Sequence, residues 1–104
     1  MQQDKKINYV VRYSDYFWEE VDEIIDYMLD NYYESTVTKF KENLLEILDN
    51  ITSFPKMYAP YYKDNRYRKV NIKNYNIFYR IDDKDQITKV YHIYDSRKDS
   101  FNLN

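Results

Sequence analysis

Residues 67–95 read YRKVNIKNYNIFYRIDDKDQITKVYHIYD, and the period of their apolar side chains decides the fold. Over residues 68–73, Val70 and Ile72 alternate with Lys69, Asn71 and Lys73, the two-residue period of a strand with one buried face. Over residues 75–82, Tyr75, Ile77, Tyr79 and Ile81 alternate with Asn76, Phe78, Arg80 and Asp82 in the same way. Asn74 is the expected turn residue between these strands. Residues 82–85 form a second expected turn, and residues 87–95 a further strand. The chain contains no Gly, so positions that need positive φ are expected to fall to Asn or Asp, the next most tolerant residues.

Upstream of this stretch the period is helical. Phe17, Trp18, Val21, Ile24, Ile25, Met28, Leu29 and Tyr32 recur three or four residues apart, which predicts a helix over residues 15–31. Ser14 is its expected N-cap, with Asp15 beside the positive end of the helix dipole. Glu19, Glu20, Asp22, Glu23 and Asp26 fall off the apolar stripe and are expected in solvent. After a break at residues 31–35, Val37, Phe40, Leu44, Ile47, Leu48 and Ile51 mark a second helix, with Ser35 or Thr36 as its cap. Phe54-Pro55 ends it, because a residue preceding proline avoids the helical region. Residues 7–13 read as a first strand with Ile7, Tyr9, Val11 and Tyr13 on one face. Residues 56–66 form a loop leading to the sheet.

The predicted order is therefore β-α-α-β-β-β. A helical hairpin packed on a small, twisted, mostly antiparallel sheet is an α+β design. A length of 104 residues predicts one domain, residues 1–104. The sheet face turned away from the helices carries the polar alternates and is the expected place for function.

Composition narrows the chemistry. There is no Cys, so disulfides and thiolate metal sites are ruled out, and one His cannot build a His-based metal site alone. No apolar run approaches the ~20 residues of a membrane span, and no signal peptide is recognisable, so a soluble, cytoplasmic protein without a membrane partner is expected. Fourteen Tyr supply rings that can pack, stack or hydrogen-bond. The net charge of −2 hides an asymmetry: residues 1–55 balance at −7 and residues 56–104 at +5. That split predicts an acidic layer and a basic layer, the basic one able to meet phosphates or, equally, to be ordinary mixed surface.

With these elements in place, the chain resembles the RelE/ParE superfamily of toxins from type II toxin–antitoxin systems. The resemblance spans nearly the whole chain. It rests on Ile-Thr-Ser-Phe-Pro at 51–55, Tyr-Arg-Lys-Val at 67–70, Tyr-Asn-Ile-Phe-Tyr-Arg-Ile-Asp at 75–82 and the closing Asp-Ser-Arg-Lys-Asp at 95–99. It implies a growth-inhibiting toxin kept silent by a cognate antitoxin that wraps over it. One branch of the family cleaves mRNA on the ribosome without a metal or other cofactor. The other inhibits DNA gyrase and has lost the nuclease residues.

Ribosome-dependent mRNA cleavage is the first activity the resemblance implies, with mRNA and the ribosome as partners. Such a nuclease must polarise a 2′-hydroxyl, stabilise charge on the phosphorane and protonate the leaving oxygen. The resemblance places Arg68 and Lys69 on the second strand and Arg97 after the last as catalytic candidates, and Arg80, four residues beyond the family's third-strand position, and His92 join them on the chemistry of their side chains. Lys73, Tyr75, Tyr91, Tyr94 and Lys98 are the matching substrate-binding candidates. Tyr91, His92 and Tyr94 have the chemistry to stack on bases or shuttle a proton. The chain departs from the nuclease branch at two points: Asn76 stands where that branch has Arg, and Phe101 is the nearest counterpart of its C-terminal Tyr.

Each candidate has a plainer reading. His92 fits a hydrogen-bonded sheet residue, Arg80 and Asp82 a surface pair on one strand face, and Arg68 and Lys69 a solvated edge. The tyrosines of residues 58–79 fit core and loop packing. The departures at Asn76 and Phe101 favour the alternative of gyrase inhibition. The acidity of the whole chain (pI ≈ 5.4) keeps a third alternative, a non-toxic binding module with the same fold.

Overall fold

A computed structural model describes residues 9–97 of the chain. Strand β1 (Val10–Tyr13) is followed by helices α1 (Asp15–Asn31) and α2 (Glu34–Ser53), then strands β2 (Arg68–Ile72), β3 (Tyr75–Asp82) and β4 (Ile87–Asp95). The strands form one sheet in the order β1-β4-β3-β2, with β1 parallel to β4 and the other pairs antiparallel. This is the expected α+β arrangement. Ile7 lies outside the described residues.

Ser14 caps α1 as expected, its Oγ accepting from the Phe17 amide at 3.1 Å. The same hydroxyl donates to the Tyr91 carbonyl, so the cap also fastens the helix start to β4. The α2 start differs from expectation. Tyr33 is the N-cap residue and makes no side-chain cap bond, while Ser35 and Thr36 lie inside the first turn. The physical reason is the shortness of the link. The Tyr32 amide still closes α1 on the Met28 carbonyl at 2.8 Å, and the Thr36 amide already bonds the Tyr33 carbonyl at 2.9 Å. Two extended residues reverse the chain, so the helix starts before the hydroxyl residues are reached.

Phe17, Val21, Ile24 and Met28 of α1 and Val37, Phe40, Leu44, Leu48 and Ile51 of α2 bury against Val70, Ile72, Tyr75, Ile77, Tyr79, Val90 and Ile93 of the sheet. Each fully buried large side chain contributes about 1.5–3 kcal/mol, so this layer carries most of the driving force. Trp18, Leu29 and Tyr32, expected on the α1 stripe, are largely exposed at its margins.

The far side of the sheet is not the purely polar face that alternation predicted. Phe78 and Tyr67 are buried there, with Tyr61, Tyr91 and Tyr94 packed on them. The loop after α2 covers this face at the β2 edge: the Lys69 amide bonds the Ala59 carbonyl and Pro60 bridges to Arg68. The turns also correct the expectation about Asn and Asp. The two positive-φ residues described are Lys73 (φ 55°) and Gln86 (φ 55°), not Asn74 or an Asp. The hairpin register and solvent exposure of both side chains decide this, overriding local preference.

Candidate functional site

The sheet register sorts the candidate residues. Val70 and Ile72 face the helices, so Arg68 shares their face while Lys69 points to the other. The Arg68 guanidinium donates to the Tyr58 carbonyl at 2.6 Å and the Lys56 carbonyl at 3.3 Å, tying the post-helix loop to β2. Lys69 lies over the Tyr61 ring with its Nζ 5.4 Å from the centroid. These two adjacent residues therefore do not converge on one point. Lys73 sits exposed in the β2–β3 turn. Asn76, half-buried, accepts from the Asn71 side-chain amide at 3.1 Å.

A bulge shapes β4. Phe78 pairs with His92 and Tyr79 with Val90, leaving Tyr91 as the extra residue. The consequence is that the Tyr91 and His92 rings lie 6.5 Å apart instead of on opposite faces. His92 stacks on Tyr94 at 4.7 Å and on Tyr16 of α1 at 5.8 Å. Its Nδ1 lies 3.0 Å from an oxygen of Glu20, whose other oxygen accepts the Ile93 amide at 3.0 Å. Glu20 was expected in solvent with the rest of the acidic face. Its side chain is instead only 21% exposed, because β1 ends at Tyr13 and leaves the β4 edge without a partner strand. The carboxylate satisfies a sheet amide that would otherwise be orphaned.

Arg97, just past β4, doubles back on Asp95. Its Nε and Nη2 donate to the two carboxylate oxygens at 2.9 and 2.7 Å, and its amide adds a third bond at 2.9 Å. The paired carboxylate holds the guanidinium's pKa above its ordinary value, so it carries its charge throughout the physiological range. Arg97 lines a cleft of ≈ 490 Å³ between α1 and the sheet end, with Tyr75, Tyr94, Tyr27, Glu20 and Glu23. Tyr75 reaches this cleft from the core: it is 7% exposed, and its ring meets Phe40 edge-on at 5.8 Å. Burial raises its pKa and that of Tyr94, keeping both phenols neutral donors.

Arg80 belongs elsewhere. It lines a second cleft, of ≈ 550 Å³, with Arg12, Lys89, Tyr91, Asp82 and Asp83. Its guanidinium lies 5.5 Å from the centre of the Tyr67 ring, and Asp82 accepts instead from the Asp85 amide at 3.1 Å. The expected Arg80–Asp82 pair is not made. The described candidates thus scatter: Tyr75, Tyr94 and Arg97 line one cleft, Arg80 and Tyr91 the other, and Arg68, Lys69, Lys73 and His92 line neither. Lys98 and Phe101 lie outside the described residues. Sequence reading missed Arg12, Lys89 and Glu20. Alternation on β1 and β4 marks Arg12 and Lys89 as surface cations, but only the register makes them neighbours.

Among the described residues no cluster of three or more His, Asp or Glu is placed to hold a metal, and no helix is long and apolar enough to cross a membrane.

A helical hairpin on a four-stranded sheet with a β1–β4 parallel pair is a fold that recurs in chains of toxin–antitoxin systems. A chain of the chromosomal ParDE system of P. aeruginosa superposes with a TM-score of 0.71 at 10% identity, covering 86% of this chain and 97% of that one. A chain of the RelBE2 toxin–antitoxin complex of Mycobacterium tuberculosis gives 0.59 at 14% identity, covering 90% and 99%. The intact E. coli RelBE complex contributes a chain at 0.53 and 13% identity, covering 86% and 99%. At such identities the likeness is one of fold. No curated protein matches the sequence. The family profile of the ParE toxin of type II toxin–antitoxin systems matches residues 11–100. The chain belongs to that family.

Proposed function

We propose that the chain acts as a single-domain, cytoplasmic, growth-inhibiting toxin, silenced by a cognate antitoxin, and that its target is DNA gyrase. Membership of the ParE family and the fold shared with chains from ParDE and RelBE systems support the toxin and its antitoxin partner. One observation favours gyrase over mRNA: among the described residues the basic candidates do not converge. Charge stabilisation of a phosphorane needs donors within about 3 Å of one reacting group. Arg68 instead holds two loop carbonyls on the helix side, Lys69 points to the other face, Arg97 is clasped by Asp95, and position 76 is an Asn bound to Asn71. Such a surface suits protein contact better than bond cleavage.

The second reading, ribosome-dependent mRNA cleavage, draws on Arg97, Tyr75 and Tyr94 around one cleft, with His92 stacked on Tyr94. Catalytic hydrogen bonds often tighten only when substrate is bound, which keeps this constellation a competitor.

The test is to induce the chain alone in bacteria and pulse-label DNA and protein synthesis over the first minutes. Gyrase inhibition predicts that DNA synthesis falls first, that mRNA stays intact, and that purified chain blocks supercoiling by purified gyrase. An early fall in protein synthesis with cut mRNA, abolished by Arg97→Ala in a folded variant, would transfer the proposal to the nuclease reading. Growth that continues unchanged would defeat both.

A further inference from the structure

Three cations stand in line across the face of the sheet turned away from the helices. Arg12 on β1 is the partner of Lys89 on β4, and Lys89 is in turn the partner of Arg80 on β3. Neighbouring strands lie about 4.8 Å apart, so the backbone positions of the three cationic residues span about 10 Å. Like charges directly opposite on a sheet are destabilising, so a row of three is costly unless something neutralises it. None of the ion pairs among the described residues involves Arg12, Lys89 or Arg80. The nearby carboxylates have other partners: Asp64, whose charge reaches Arg80, is clasped by the Arg66 guanidinium at 2.6 Å. Asp83 takes the Lys56 ammonium at 3.1 Å and the Tyr9 hydroxyl at 2.6 Å, and Asp82 takes the Asp85 amide.

The row is also built. Lys89 lies over the Tyr91 ring at 5.0 Å and Arg80 over the Tyr67 ring at 5.5 Å, and these two rings meet edge-on at 5.7 Å. Tyr67 is 3% exposed, so the cations rest on an aromatic floor continuous with the Phe78 cluster. All three cations line the same ≈ 550 Å³ cleft.

We infer that the Arg12–Lys89–Arg80 row is a docking site for a short acidic segment of a protein partner, its carboxylates meeting the three cations across the strands. Charge complementarity points to an anion, and the distribution of charge over the molecule selects a short peptide over a polynucleotide. The whole chain is at −2, and Asp82, Asp83 and Asp85 lie just past the row at the end of β3. A phosphate backbone running beyond about 10 Å would meet that negative surface, whereas contacts confined to the row are screened from it. In the toxin–antitoxin reading, on which the identity of the partner rests, the segment belongs to the antitoxin.

The test uses the full purified chain and a fluorescein-labelled triglutamate peptide, about 10 Å long when extended, followed by anisotropy. Arg12→Gln, Lys89→Gln and Arg80→Gln are each expected to weaken binding roughly three- to tenfold, and to flatten its salt dependence. Lys41→Gln, the same charge change on the exposed side of α2, is expected to leave it unchanged. A second readout is the melting temperature, which Lys89→Gln should hold or raise, since it removes the central charge from between two others. Equal losses from Lys41→Gln and the row variants would reduce the effect to net charge and overturn the inference. So would a labelled twelve-nucleotide RNA that binds more tightly than the peptide and loses affinity in the row variants. A lower melting temperature for Lys89→Gln would make the row structural and overturn it as well. Peptide binding needs no toxicity, so the two readings fail separately. Continued growth on expression sinks the toxin alone, while growth arrest with row-independent peptide binding sinks the docking site alone.

Discussion

Glu20 joins α1 to the sheet through a single side chain. It accepts the Ile93 amide and the His92 ring where β4 has lost its neighbouring strand. Glu20→Ala leaves a part-buried amide without a partner and is expected to cost about 1–3 kcal/mol by urea denaturation. Glu20→Gln keeps a carbonyl acceptor and should cost less. Tyr79 is the second such residue. Its hydroxyl donates to the Pro55 carbonyl at 2.6 Å, and burial pushes its pKa up to about 12. A phenol whose folded pKa lies above the unfolded value of 10.0 favours the fold fully below pH 10. That contribution is lost as the pH rises from there through about 12. A spectrophotometric titration of the tyrosines should therefore find Tyr79 ionising last, after the less strongly raised Tyr75 and Tyr94, together with alkaline unfolding, and Tyr79→Phe should remove that last step. The alternation of Tyr75, Ile77 and Tyr79 made the burial of Tyr79 readable in the sequence. Nothing in local sequence marked Glu20, because its role depends on where β1 stops.

At the scale of elements, periodicity was a reliable guide and turn chemistry was not. Helix α1 and strands β3 and β4 fall where their patterns place them, since each buries one face against a neighbour and a one-residue slip would expose it. The turns follow the strands they join. Lys73 and Gln86 take φ 55° because the paired strands on either side leave no other path, at a cost of roughly 1–2 kcal/mol for a residue with a Cβ. Gln86→Gly is expected to raise stability by up to about 1 kcal/mol, seen as a rise of roughly 4–8 °C in melting temperature. A lower melting temperature would show that the Gln86 side chain contributes more than its backbone costs. The β4 bulge at Tyr91 was likewise invisible in the sequence. It changes which side of the strand each following residue faces, and so it decides that Tyr91, His92 and Tyr94 gather as they do.

Over the whole molecule, the two helices and the sheet share one core, and Phe40 stands at the joint between α2 and Tyr75. Phe40→Ala is expected to cost about 3–5 kcal/mol, a large part of the 5–15 kcal/mol typical of a domain, and to leave the chain partly unfolded at 37 °C. Thermal melting checks this. Arg97→Ala should melt close to the parent, since Arg97 is exposed and its guanidinium bonds to Asp95, two residues away. Together the two variants separate loss of toxicity through unfolding from loss through a functional surface. The charge split along the chain becomes spatial at this scale, with the seven carboxylates of α1 on one side of the sheet and Arg12, Lys89 and Arg80 on the other.

Helix and strand periods, the Ser14 cap, the helix stop at Phe54-Pro55 and the family itself were all legible in the linear order of residues. These rest on local spacing and on one face of each element being apolar. The convergence of side chains was decided only by tertiary structure: the row Arg12–Lys89–Arg80, the Glu20 clasp on β4, and the scatter of the basic candidates. Each of these joins residues far apart in the chain. Their meeting depends on strand order, register and a bulge, which follow from the packing of the whole core and leave no mark in any short stretch of sequence.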